Sequence, residues 1–392
     1  MDNQALGLRQ LPQELKLILA LLQERNHDVY QNPRLLTTIN WDLFIELCVH
    51  HRLYPLLYPE IKKQKGNVFP PSVVETLFHY YQQNTFNMLH LCGETAFINK
   101  LFTENNIRLL FLKGPHLARE LYGDYSLRTS NDLDFLIQGQ DLEKAEKLLE
   151  KHGYEKEDYI RTVLNDWKWR HHHVTYYHPE KGTKLEVHWR LHPGPGKEPD
   201  FNDLWARRKT GTFTETPVCA LGKEDLFVFL ALHGARHGWS RLRWLCDIHQ
   251  LTGQALDPAL LKKLLKASGS VHIGEQALRL SAILLDTAIP EWKEPFRFKK
   301  RSEKLADQAF YYFENMVNLH TDPVPEEVSE YHKHYLFSLM SYPQKAVFLL
   351  SFLYPYPEDA ETMPLPKPLH FLYFPLRPFL WAWRKTRKQA VT

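Results

Sequence analysis

FLKGPHLARELYGDYSLRTSNDLDFLI, residues 111–137, is the stretch that decides how this chain is read. Its last seven residues, Asn131 to Ile137, alternate like a strand, so Asp132 and Asp134 leave one face while Leu133 and Phe135 leave the other. Two like charges side by side are costly to bury without a counter-ion, which points to a divalent cation or to open solvent. Just upstream, Ile107 to Leu112 is a short apolar run between Asn105-Asn106 and Lys113-Gly114-Pro115, as expected of a buried strand. Pro115 to Tyr122 reads as a helix with proline in its first turn. The step from strand to helix through Lys113-Gly114 presents free N–H groups and a positive dipole end, a place to receive phosphate. Gly114 permits close backbone approach there, and Lys113 and Arg128 are candidate partners for phosphate charge.

Working outward, Asp141 to His152 reads as a helix closed by Gly153. Val174 to Tyr177 and Lys184 to Leu191 flank His178-Pro179-Glu180-Lys181-Gly182, a hairpin signal. In KLEVHWRL, Lys184, Glu186, His188 and Arg190 share one face, and Leu185, Val187, Trp189 and Leu191 the other. Placed beside the Asp132 strand, this hairpin makes Glu186 a third carboxylate of one cradle, with His188 on the same face.

The flanks read as helical. Leu15, Ile18, Leu19 and Leu22 form a stripe, and Asn40 caps a helix carrying Phe44, Leu47 and Cys48. Ser72 and Glu75 fit a capping box for a long helix running to about Glu104. Beyond Leu221, Glu224 and Asp225 open a helix through LFVFLALHGARH, and further helices are expected over 258–268, 274–287, 303–318 and 343–353. The expected class is α+β: a small mixed-sheet unit over 106–215 between helical segments at 1–105 and 216–363, followed by a Pro- and aromatic-rich basic tail at 364–392.

The 392 residues carry 49 Lys+Arg against 46 Asp+Glu, but 364–392 holds six of the bases and no acid. The body is therefore slightly acidic, which disfavours a protein that tracks a nucleic-acid backbone. Four scattered cysteines without a CxxC pair suggest neither a zinc ribbon nor a disulfide framework, and a cytoplasmic location with reduced thiols is expected. Proline and arginine interrupt the tail's apolar run short of a membrane span, leaving only peripheral membrane contact open.

Several motifs in fixed order, the LKG at 112–114, LYGD at 121–124, Arg128 before DLDFLI, the LEVHWRL hairpin, Glu224-Asp225 and HGARHGWSRLRWLCDIH, make the chain resemble the DNA polymerase beta-like nucleotidyltransferase superfamily. The likeness covers about 35–290 and is greatest to a bacterial branch, some of it found near lasso-peptide biosynthesis genes. It implies a nucleotidyltransferase palm in which Asp132, Asp134 and Glu186 are catalytic and bind two magnesium ions. It also implies an NTP substrate whose triphosphate lies near the helix entry at Gly114; Lys113, Arg128 and His188 are the further candidates for nucleotide contact, and the acceptor is left open among a peptide, a small metabolite and a protein, with nucleic acid disfavoured. The sequence departs from the superfamily pattern at Pro115, where a small polar residue is usual. An inactive nucleotide-binding member and a kinase-like phosphotransferase on the same metals are the rival readings.

His233 and His237, four apart on a helix, fit the lining of an acceptor or base pocket better than a metal pair, since HEXXH is absent. Arg236, Arg243 and Asp247 are expected to form a structural ion-pair network. The run His171-His172-His173 is given no site, because strand alternation sends its members to different faces. The tail is expected to pack its aromatics on the body and leave its charges in water.

Overall fold

The alternating stretches around Asp134 and Glu186 form the middle of one seven-stranded mixed sheet in the computed structural model, which describes residues 11–23, 36–64, 68–158, 163–164, 167–194, 196–211, 217–288 and 300–389. The strands are β1 (Leu109–Phe111), β2 (Leu133–Ile137), β3 (Glu155–Lys156), β4 (His173–His178), β5 (Thr183–His188), β6 (Lys209–Gly211) and β7 (Val218–Ala220), ordered β3-β4-β5-β2-β1-β7-β6. β1 runs antiparallel to β2 and parallel to β7, and β4 and β5 form the expected hairpin. β2 and β5 are parallel neighbours in a register that sets Asp134 beside Glu186 and Leu136 beside His188.

Helices α1 (Gln13–Leu22), α2 (Trp41–His50), α3 (Tyr54–Lys63) and α4 (Pro71–Glu104) precede the sheet. Between strands lie α5 (Pro115–Tyr122), α6 (Leu142–Lys151) and the short α7 (Trp167–Arg170) and α8 (Phe201–Ala206). After it come α9 (Lys223–Arg236), α10 (Arg243–Thr252), α11 (Pro258–Ala267), α12 (Val271–Leu285), α13 (Lys300–Glu314), α14 (Glu326–Leu339), α15 (Tyr342–Ser351), α16 (Pro357–Thr362) and α17 (Tyr373–Gln389). The class is α+β, as expected.

Local chemistry explains most boundaries. The Asn40 side chain accepts from the N–H groups of Asp42 and Leu43 and so starts α2. The capping box read at Ser72 and Glu75 does not form: α4 begins at Pro71 with Pro70 as its cap, so Ser72 already lies in the first turn. Proline there needs no N–H partner and is pre-set for the helix. Its 34 residues make α4 about 50 Å long.

The two faces of the sheet enter different cores. Leu133, Phe135, Ile137, Leu185 and Val187 pack with Met88, Ile98 and Phe102 of α4 and Leu142, Ala145 and Leu149 of α6. Phe135 meets Phe102 edge-on at 5.4 Å between ring centroids. From the opposite face, Leu110, Leu112 and Leu136 join a larger core made by the N- and C-terminal helices. Where that face carries Asp134 and Glu186 instead of leucine, the packing opens into a cleft.

The C-terminal elements overturn one expectation. Along α17 the inward positions are Tyr373, Arg377, Leu380 and Arg384, and the two arginines pair with Asp359 of α16. Phe379, Trp381 and Trp383 face outward. The tail thus turns Arg377 and Arg384 inward and leaves Phe379, Trp381 and Trp383 exposed, because Asp359, wholly buried, requires cationic partners.

Candidate active site

A cleft of about 500 Å³ lies between the sheet and the helical wall of α9 and α10. Its floor is acidic. Asp134 is fully buried at 0% exposure, and among the described residues no hydrogen-bond donor reaches its Oδ2. The Lys113 ammonium stands 2.9 Å from Asp134 Oδ1, and His188 Nε2 lies 3.4 Å from the same oxygen and 3.5 Å from Glu186 Oε2. Asp134, Glu186 and His188 therefore converge tightly enough for one cation to reach all three. Asp132 stands outside that group; it directly precedes β2 and lines the same cleft.

The electrostatics follow from this crowding. Burial, and then the neighbouring Asp134 carboxylate, raise the Asp132 pKa. Burial also works to raise Glu186, but contact with His188, and the nearby His173 and Lys113, outweigh it and hold the carboxyl at about 2. Burial lowers Lys113 and His188, yet in each case the surrounding carboxylates dominate and the pKa is raised. Asp134, Glu186 and His188 present the ligand atoms a metal ion could take. The two adjacent carboxylates, with Asp132 close by, are hard oxygen donors of the kind magnesium takes. The buried Asp134 Oδ2, which no donor among the described residues reaches, is the observation that fits such an ion.

A clamped loop carries Asp132. The Asn84 amide on α4 donates to Ser126 O, and Asn87 donates to Ser130 O. Arg243 donates to Thr129 O. Arg128, 1% exposed, donates through Nε to Asp247 Oδ1 at 3.0 Å and through Nη2 to Oδ2 at 3.0 Å. Tyr122 adds a hydroxyl hydrogen bond to Asp247 Oδ1 at 2.9 Å. Of the three-residue network expected around Asp247, neither Arg236 nor Arg243 pairs with it. Arg128 does, so the residue read as a phosphate partner sits at the cleft wall but spends its charge on a buried carboxylate.

The helical wall is cationic and aromatic. Gly238 turns the chain after α9 with φ +63°, where a Cβ would overlap the Tyr312 ring. The turn folds α10 back, so that Arg236, Arg241 and Arg243 all reach the cleft, with Arg52 beside them. Without carboxylate partners, burial lowers Arg236 and Arg241 to about 10 and Arg243 to about 9. His233 and His237 line the cleft against Trp244, their ring centroids 5.4 and 5.3 Å from the indole. Burial drives both imidazoles well below their ordinary pKa, so they face the cleft uncharged.

Sequence reading and geometry agree on position for Asp132, Asp134, Glu186, His188, Lys113 and Arg128, which meet at one cleft. Gly114 does not line it; at φ +97° it caps α5, and a Cβ would press Leu133 at 3.2 Å. His172 and His173, given no site, do line it and gather with His188, because β4 begins only at His173 and alternation does not extend to His172. Arg52, Arg236, Arg241 and Arg243 carry no assignment from sequence as cleft residues; the density of arginine and histidine over 233–243 is the one signal for the last three, and Arg52 has none.

The fold is an α+β unit in which paired acidic strands face a cationic helical wall across one cleft. Over residues 37–286, more than half its length, the chain matches the model of a family described as an uncharacterised nucleotidyltransferase, and it belongs to that family. Nucleotidyl transfer is the general role this membership supports. No curated protein and no solved structure matches the chain.

Proposed function

We propose that the protein transfers an NMP group from an NTP to an acceptor hydroxyl, using magnesium held by Asp132, Asp134 and Glu186. The observation that carries this is Asp134: a wholly buried carboxylate in register with Glu186 beneath the cleft, with Lys113 and His188 at its Oδ1 and no donor among the described residues at its Oδ2. Bound magnesium lowers the pKa of the attacking hydroxyl and stabilises charge on the leaving pyrophosphate. The chain's own part is positioning. Lys113, Arg52, Arg236, Arg241 and Arg243 supply fixed positive charge for a triphosphate, and their desolvation strengthens each contact. His188 holds the two strand carboxylates toward one point. Arg128 acts through Asp247 to fix the loop that bears Asp132.

The test is pyrophosphate release from each of the four NTPs with Mg2+, together with the mass of the modified acceptor. Asp134→Asn is expected to abolish release; release at the wild-type rate would remove the metal role from this carboxylate. A nucleotide adduct on the acceptor supports transfer of NMP, whereas a phosphate adduct would reassign the cleft to phosphotransfer.

A further inference from the structure

We propose that the outer face of α15, the segment 367–372 and the outer side of α17 is a docking surface for an anionic lipid bilayer, an inference independent of the chemistry in the cleft. α15, YPQKAVFLLS, contains no buried residue at all, although six of its ten residues are apolar or aromatic. Tyr342 is 86% exposed, Leu350 63% and, just past the helix, Leu353 58%. On α17 Phe379 is 73% exposed, and Trp381 and Trp383 are more than half exposed. The two helices are tied together: Arg377 of α17 donates to Phe352 O, and Tyr354 meets Phe374 at 5.2 Å. So many large apolar side chains exposed on neighbouring elements are unusual on a protein that meets only water.

The chemistry of the face selects a bilayer. Indole and phenol rings favour the membrane–water boundary, where an apolar body and a polar edge are both satisfied. Residues 364–392 hold six bases and no acid, and with Arg377 and Arg384 turned onto Asp359, exposed Lys367 and Lys385 accompany the aromatics. Such bases complement anionic headgroups. A second copy docked face to face would bring these like charges together. Among the described residues no helix is long and apolar enough to cross a membrane, so the face would lie on the surface.

The experiment is co-sedimentation of the full chain with vesicles of phosphatidylcholine plus phosphatidylglycerol, and with phosphatidylcholine alone. Binding to the anionic vesicles is expected to be roughly tenfold stronger and to weaken in high salt. Trp381→Gln/Trp383→Gln should lose roughly tenfold in partitioning while melting like wild type, since neither ring is packed in the core. Failure to bind anionic vesicles, or equal binding by the double variant, overturns the proposal. So does dimerisation in sedimentation velocity that the same substitutions abolish without any vesicle binding, which would assign the face to a second copy.

Discussion

Replacing Asp247 by asparagine removes the counter-charge of a guanidinium that has almost no access to water. Arg128 is 1% exposed and Asp247 0%, and two guanidinium nitrogens hold both carboxylate oxygens at 3.0 Å. Removing one partner of such a pair costs about 3–5 kcal/mol, because the remaining charge is left buried and unpaired. Asparagine still accepts one hydrogen bond from Arg128 or Tyr122, which places Asp247→Asn near the lower end. At roughly 1–2 °C per kcal/mol for a chain of this length, calorimetry should show the melting temperature falling by about 3–6 °C. Arg128→Met/Asp247→Leu should cost far less than the sum of its single variants, since no charge is stranded. The loop from Asp124 to Asp132 would loosen in Asp247→Asn, so pyrophosphate release at a temperature where it is folded should drop by roughly tenfold or more. An Asp247→Asn protein that melts within about 1 °C of wild type would refute the reasoning, because Arg128 would then not depend on that carboxylate.

Lys113→Gln strips Asp134 of its 2.9 Å ammonium partner, and the protein should lose on the order of 3 kcal/mol. Mg2+ should then raise its melting temperature by more than it raises that of wild type; an equal rise would mean that the ion does not bind at Asp134. Gly114→Ala forces an L-residue to φ +97° against Leu133 and should cost about 1–3 kcal/mol in a denaturant melt, while a neutral result would contradict the strained turn. Burial lowers His50 and His272 from 6.5 to about 4 and drives His51, His192, His233 and His237 well below 6.5 as well. The unfolded chain therefore binds more protons than the folded one below pH 6.5, so stability should fall as pH drops from 6.5 toward 4. His188 is the one histidine among the described residues whose raised pKa acts in the opposite sense, joined toward the acid end by raised carboxyls such as Asp132 and Glu198. A calorimetric melting temperature that is flat or rises between pH 6.5 and 5 would contradict this balance of signs.

What the sequence disclosed was local. Alternation over 133–137 and 184–188 showed which side chains share a face, and Asn40 marked a helix start that its side chain then caps. The register that brings Glu186 beside Asp134 is a pairing between strands, so the sequence made the cradle plausible without stating which residues touch. The Arg128–Asp247 pair spans 119 residues, and no spacing rule connects them. The cationic wall depends on how α10 folds back after Gly238, which turns an unremarkable run of arginines into the side of a cleft. The tail misled for a definite reason: composition counts charges and aromatics but not which of them a buried Asp359 will claim.

The account rests on the acidic floor holding a divalent cation. Its most direct test is titration of the full chain with Mn2+ in the presence of a non-hydrolysable NTP, following free ion by electron paramagnetic resonance. Saturable binding by wild type that is lost in Asp134→Asn and in Glu186→Gln is the predicted result. Unchanged affinity and stoichiometry in Asp134→Asn would contradict it.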